Sequence, residues 1–597
     1  VRTSIATVSL SGSLTEKLTA AARAGFDGVE IFENDLLASP LTPEEIRVRC
    51  ADLGLGIDLY QPMRDIEAVP AEEFARNLRR ARHKFELMRR LGADTVLVCS
   101  SVHPLAVDDD ALATEQLNRL ADLAAESGIR VAYEALAWGR HVSTYDHAWR
   151  IVETAGHPAL GTCLDSFHIL SRTSDPRGLN GIADIPGEKI FFLQLADAPL
   201  LAMDVLQWSR HHRCFPGQGG FDVAGLVRQV LRTGYDGPLS LEVFNDVHRQ
   251  AEAGPTAVDA RRSLLVLGEE VGLASLPEPT APTGVAFAEL VTPDAAPVSA
   301  LLAALGFART ARHRRKPVEL WEQGAARVLV NTGPAAGRDG TCLAAIGLES
   351  PDPSAAARRA EALLAPVLPR RRAPEDATLD AVAAPDGTEL FLCATDRPGL
   401  PNWRADFEDV PRTGAAAARA VRIDHLSLTQ PWHHYDEAVL FHRSVLGLDA
   451  QESVDVADPY GLLRSRAVAN ADGAVRIPLT VGAAPGDDTA HARHIALATD
   501  DVVAAARRFV GAGGRLLPIP ANYYDDLAAR FEFAEGELET YRDLGILYDR
   551  DAQGVFRHCY THTVGRVFFE LVQRDGGYQG YGAANAQVRL TAQHAAR

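Results

Sequence analysis

The chain has no paired-cysteine motif, no long apolar run and no excess of basic residues, and each absence removes a class of function. Seven cysteines in 597 residues form no CxxC pair. Their odd number and scatter argue against a disulfide framework or thiolate zinc and fit reduced thiols. No apolar stretch approaches the roughly 20 residues that cross a bilayer, so no membrane partner is expected. The first residues lack the basic start and continuous apolar core of a signal peptide, because Thr3, Ser4, Ser9 and Ser11 interrupt them. Sixty Lys and Arg against 79 Asp and Glu give a net charge of −19, which repels a phosphate backbone and argues against nucleic acid. Basic runs at Arg312, Arg314, Arg315 and from Arg370 to Arg372 read as solvated surface. A cytoplasmic location and a small-molecule partner are the resulting expectations, and assembly as a homo-oligomer is compatible with them.

What is present is a repeat. From Ser4 to about Gly272, short apolar runs alternate with longer amphipathic segments, the pattern of βα units. Strands are expected at Ser4 to Leu10, Gly28 to Phe32, Gly56 to Gln61, Thr95 to Ser100, Arg130 to Leu136, Leu160 to Asp165, Ile190 to Ala196 and Leu239 to Phe244. Helices such as Ala71 to Leu91 and Ala111 to Ser127 lie between them, with glycine closing segments at Gly25, Gly54, Gly92, Gly128 and Gly234. Eight units in this length predict a (β/α)8 TIM barrel over residues 1–274. The proline-rich string SLPEPTAPT at 275–283 predicts a semi-rigid linker. Two α+β modules follow, at 284–412 and 413–597, with Thr413 to Ala420 as their joint.

A TIM barrel places its chemistry at the C-terminal ends of its strands. Four consecutive strands end there in a polar residue: Glu134 in VAYEAL, Asp165 in GTCLD, Gln194 in FFLQLAD and Glu242 in LSLEVF. Three buried carboxylates repel one another unless a cation stands between them. An oxygen-only donor set favours Mg²⁺ or Mn²⁺, tolerates Co²⁺ and disfavours zinc. Each residue alone reads as a locally hydrogen-bonded strand end; four in order read as a metal site.

This strand and ligand pattern resembles the sugar-phosphate isomerase and AP-endonuclease-like TIM barrels. Within that superfamily, QPMRD at Gln61 to Asp65, LDSFH at Leu164 to His168 and SRHHRCFPGQGGFD at Ser209 to Asp222 are similar to bacterial 3-dehydroshikimate dehydratases. The resemblance implies a metal-dependent lyase that removes water from 3-dehydroshikimate to give protocatechuate in quinate and shikimate catabolism. Such a substrate carries a carboxylate, a C3 ketone and hydroxyls at C4 and C5. His168 is the expected proton-transferring residue, with His103 as its alternative. Arg64 and Arg210 are expected at the carboxylate, Ser209 at a substrate oxygen, and Tyr60 and Gln61 along the pocket. A sugar isomerase or epimerase in the same barrel is the competing activity, and a neutral sugar would have no use for the two arginines.

The last module carries His425 in RIDHLSL, His494 in RHIALAT and Glu570 in VFFELVQR. Two histidines and a carboxylate form the facial set that holds non-haem iron, so a second divalent metal, Fe or Mg, is expected there. These strings, with YYDDLAARF and LGILYDRD, resemble the 4-hydroxyphenylpyruvate dioxygenase family. That resemblance implies a paired vicinal-oxygen-chelate (βαβββ) fold, with the first module as its metal-free half, marked by Ala288, Leu390 and Cys393. Where that family has a GNF-containing helix that closes its site, this chain reads GYGAANAQVRLTAQ from Gly580. Aromatic dioxygenation, and a nonenzymatic assembly or sensing role for this half, both remain open at this level.

Overall fold

A computed structural model describes the chain except residues 1, 173–175, 335–339, 369–373, 414–420, 460, 483–492 and 597. The basic run from Arg370 to Arg372, and all but the first residue of the proposed joint at 413–420, lie outside the described residues. Two compact units result, Val1–Ser275 and Leu276–Arg597.

The first unit is a closed barrel of eight parallel strands: β1 (Thr3–Ala6), β2 (Gly28–Phe32), β3 (Gly56–Met63), β4 (Thr95–Cys99), β5 (Arg130–Glu134), β6 (Leu160–Asp165), β7 (Ile190–Leu195) and β8 (Leu239–Leu241). Expected strand starts fall within a residue of these, but several expected ends run past the sheet. After Ala6 the chain tightens into a 3-10 turn at Thr7–Ser9, and β8 stops at Leu241, before Glu242. Apolar character continues beyond the ladder because the barrel mouth is itself buried, so hydropathy alone overshoots. The helix Ala71–Leu91 has the expected limits and stops at Gly92, whose φ of 86° is open to glycine and costly for other residues.

Strand alternation sorts side chains into two layers. Leu59, Leu97, Ala132 and Phe192 fill the inside of the barrel. Tyr60, Val96, Val98, Tyr133 and Leu193 belong to the larger core beneath the helices. The same alternation turns Glu30, Gln61, Glu134, Asp165 and Gln194 inward, all 3% exposed or less.

The second unit holds two eight-stranded mixed sheets. In its first module a helix forms at Ala295–Leu305, capped by the side chain of Asp294. In the second sheet, strands Arg422–Thr429, Arg493–Ala498 and Val567–Gly576 are neighbours. Their adjacency is what gathers His425, His494 and Glu570, which are far apart in sequence. Among the described residues, no helix is long and apolar enough to cross a membrane.

One buried carboxylate fastens the loop after β3 to its neighbours. Glu67 accepts the backbone N–H of Ser101 at 2.6 Å and the hydroxyl of Tyr133 at 3.0 Å, while burial pushes its pKa up to about 7. An acid with a raised folded-state pKa stabilises the fold below its unfolded value, and that contribution disappears as pH rises through the folded one. Between about pH 5 and pH 8 the wild-type chain should therefore lose about 2 to 3 kcal/mol relative to Glu67→Gln in urea unfolding. Parallel curves for the two proteins would contradict this assignment.

Candidate active site and metal centres

At the mouth of the barrel, Glu134, Asp165 and Glu242 converge from three strand ends. All are at most 5% exposed. Burial, followed by repulsion from Asp165 and Glu242, raises the pKa of Glu134 well above its ordinary value. Burial likewise pushes Glu242 up to about 7. Burial acts on Asp165 too, but the charge and hydrogen bond of Arg213, with the N–H of Phe167, outweigh it and draw its pKa down.

Asp165 links backbone and site. One oxygen caps the short helix Ser166–Leu170, accepting the N–H of Phe167 at 2.6 Å, and the other accepts Nη1 of Arg213 at 2.7 Å. His168 follows three residues later on that helix, so it lies on the same side as Asp165. Its Nε2 is 3.6 Å from Asp165 and 3.9 Å from Glu134. Its Nδ1 accepts the N–H of Ala137 at 3.1 Å. Burial pushes its pKa down to about 3, so the ring is neutral at neutral pH.

The resident cation of this cluster is Arg213, which the strand-end pattern does not single out. Its guanidinium, 1% exposed, reaches Asp165 and, at 3.1 Å, Glu242. Nε and Nη2 donate to Ser209 Oγ at 3.1 and 2.9 Å, and the ring of Phe167 lies 4.6 Å beneath it. Asp197 anchors the segment that carries it. Backbone bonds at 2.9 and 2.8 Å join Asp197 to Cys214, and the Asp197 carboxylate accepts N–H groups from Gly217, Gly219 and Phe221. No sequence signal separates Arg213 from Arg210, since both stand in the string SRHHRCF.

Arg210 lies at the rim, half-buried. Burial, then the positive charges of Arg64, Arg249 and Arg213, lower its pKa. The charge of Arg64 also acts on Cys99, His168 and Glu242, so these guanidinium groups share the mouth with the carboxylates.

The remaining expected residues have partners of their own. Tyr60 faces outward into the core beneath the helices and donates to Glu33 at 3.0 Å. It is therefore corrected from a pocket residue to a packing residue, because it alternates with inward Gln61 along β3. Gln61 donates to Glu30 at 2.7 Å, within the barrel rather than along its opening. Gln194 donates its amide nitrogen to the same Glu30 at 2.6 Å. His103 shapes its own loop, its Nδ1 accepting the N–H of Leu105 at 3.1 Å.

Two observations bear on a divalent ion in the barrel. Oε1 of Glu134 is buried with no hydrogen-bond partner, and ligand-capable atoms of Glu134, Asp165 and His168 lie within 4.8 Å of one another. An orphaned buried carboxylate oxygen beside a second carboxylate fits a cation.

The second unit gives the tighter cluster. Nε2 of His425 and of His494 lie 3.0 and 3.1 Å from Oε2 of Glu570 and 3.2 Å from each other. Ligands about 2.1 Å from an ion at right angles stand about 3 Å apart, so the three edges fit a facial set. Outer contacts hold the ligands: Asp424 at 2.8 Å from Nδ1 of His425, and His558 Nδ1 at 2.7 Å from Oε1 of Glu570. A C-terminal helix does form, Ala583–Ala595. Its Asn585 lies 3.1 Å from Nε2 of His558, so the departure from the GNF string does not remove the helix. In the first module, His313, Asp376 and Asp406 also approach one another. Nδ1 of His313 accepts the N–H groups of Arg315 and Lys316, and Asp406 accepts that of Ala377, contacts that pin a loop.

Comparison with known proteins follows this division of the chain. Residues 18–267 match the xylose isomerase-like TIM barrel family, 277–397 the N-terminal hydroxyphenylpyruvate dioxygenase family, and 422–545 the glyoxalase/bleomycin resistance protein/dioxygenase superfamily. A 3-dehydroshikimate dehydratase of Pseudomonas putida is 46% identical, with 100% of this chain and 98% of that protein aligned. One from Pseudomonas aeruginosa has the same identity and coverage. A solved structure described as a xylose isomerase-like TIM barrel/4-hydroxyphenylpyruvate dioxygenase fusion protein is 44% identical, covers 100% of both chains and has a TM-score of 0.89. The chain belongs to this family of bacterial 3-dehydroshikimate dehydratases, in which a TIM barrel is fused to a dioxygenase-like vicinal-oxygen-chelate half.

Proposed function

We propose that the barrel dehydrates 3-dehydroshikimate to protocatechuate with the help of a divalent cation. The observation that carries this reading is the pairing, at one buried mouth, of three carboxylates with a group of arginines. Oxygen donors suit a hard cation, and guanidinium groups suit a carboxylate substrate. A neutral sugar would leave Arg64 and Arg210 unmatched.

Glu134, Asp165, Glu242 and Gln194 would hold the cation, with Mg²⁺, Mn²⁺ or Co²⁺ suited to them. When bound, it supplies Lewis-acid stabilisation of negative charge on the C3 and C4 oxygens. Arg64 and Arg210 orient the ring through its carboxylate. Ser209 Oγ accepts two N–H groups from Arg213 and keeps its own hydrogen for a substrate oxygen. His168 handles the proton through Nε2: with Nδ1 accepting the N–H of Ala137, the neutral ring carries its hydrogen on Nε2 and gives it to the C5 hydroxyl as that group leaves. The C4–H and C5–O bonds break and the C4–C5 double bond forms, the C4 proton replacing the one that His168 gave to the hydroxyl as it left as water; a proton then moves from C6 to the C3 oxygen, which completes the aromatic ring. The His425, His494 and Glu570 cluster would hold a second divalent ion, Fe or Mg, apart from this chemistry.

The direct test follows the ultraviolet absorbance of the aromatic product from 3-dehydroshikimate with EDTA, Mg²⁺, Mn²⁺ or Co²⁺. EDTA should abolish the rate and the metals restore it, while Glu134→Gln should lower it at least about 100-fold. No product with any metal would overturn the dehydratase reading. Arg64→Leu should raise KM roughly 10- to 100-fold and change kcat less, as expected for losing a charge-assisted bond to the carboxylate. An unchanged KM would remove Arg64 from substrate binding.

A further inference from the structure

Beneath the mouth, β2 carries a carboxylate that the dehydration scheme leaves without a role. Glu30 interrupts the apolar string GVEIF and is fully buried inside the barrel. Ser240 donates to its Oε1. Gln194 and Gln61 donate amide nitrogens to its Oε2 at 2.6 and 2.7 Å. One side chain thereby gathers β2, β3, β7 and β8.

The Gln194 contact has a chemical consequence. A side-chain amide has one accepting end and one donating end. With its nitrogen committed to Glu30, Gln194 turns its oxygen the other way, where the Cys163 thiol meets it at 3.4 Å. Only that oxygen can ligate a hard cation; the NH₂ end would repel it.

We propose that Glu30 is a positioning residue that fixes the amide orientation of Gln194, so that an oxygen and not a nitrogen is offered to the barrel cation. The proposal rests on the metal-dependent dehydratase reading of the barrel. In Glu30→Gln, an amide with its own NH₂ group faces Gln194, and the pair satisfies itself as readily with Gln194 turned over. Outer partners of metal ligands typically change affinity by about 10- to 100-fold. A glutamate at position 194 has oxygen at both ends and needs no such orientation.

The test is a Mn²⁺ titration by calorimetry and electron paramagnetic resonance on the full chain, with His425→Ala present throughout to disable the second cluster. Glu30→Gln should weaken Kd about 10- to 100-fold when residue 194 is glutamine and less than about threefold in the Gln194→Glu background. Equal weakening in both backgrounds assigns Glu30 a merely structural role and overturns the proposal, as does an unchanged Kd in Glu30→Gln. If the parent itself binds no Mn²⁺, the metal reading falls and the proposal with it. Should Glu30→Gln alone fail to fold, the reversed pair Glu30→Gln/Gln194→Glu restores a donor opposite a carboxylate. It should then bind Mn²⁺ like Gln194→Glu alone, and a tenfold gap between those two overturns the proposal.

Discussion

The repulsion among buried carboxylates at the end of the barrel is the constraint on which the rest of this site depends. Glu134, Asp165 and Glu242 are almost excluded from water, and Glu30 lies close enough to Glu242 for its own pKa to rise after burial has acted. Such a group is tolerated only with positive charge among its members. Arg213 supplies part of it, bonded to Asp165 and Glu242. Glu134 has no comparable partner, and its unpaired oxygen is where a divalent ion would balance the cluster. Neutral His168 fits the same logic, since a further fixed cation beside Arg213 and Arg64 would be opposed by both.

Holding that charge balance requires ordered loops as well as strands. Strands set the carboxylates by register, with Cys99 opposite Glu134 and Asp165 opposite Gln194. The countercharge comes from a loop, and Asp197 makes that loop as definite as a strand by collecting backbone N–H groups from three of its residues. Asp197 is thereby tied to the chemistry without touching it: it fixes the segment that begins at Arg213.

Much of this was readable in the sequence for physical reasons. Eight apolar runs at βα spacing specify the barrel, and a charged or amide side chain inside such a run has to face something that compensates it. That rule finds Glu134, Asp165, Gln194 and Glu242. It applies equally to Glu30 in GVEIF, which stands apart from the four consecutive strands whose pattern is conspicuous. Arg213 is hidden for a different reason. Its neighbour Arg210 has the same chemistry, and only the loop path set by Asp197 decides which guanidinium enters the cluster. Tyr60 is placed by strand parity, since inward Gln61 on β3 requires an outward Tyr60, and proximity to the QPMRD string is a poor guide to its direction. His425, His494 and Glu570 were legible as metal-binding residue types in strand-like runs. Their closeness depends on a sheet order that places three sequence-distant strands side by side.

The central claim is that the barrel carboxylates hold a divalent ion, and counting bound Mn²⁺ per chain by equilibrium dialysis tests it most directly. With the His425 cluster intact in both proteins, Glu134→Ala should bind one equivalent fewer than wild type at metal concentrations that saturate the wild-type chain. Equal stoichiometry in the two proteins would show that Glu134 holds no ion, and would contradict a barrel whose carboxylates are balanced by a metal.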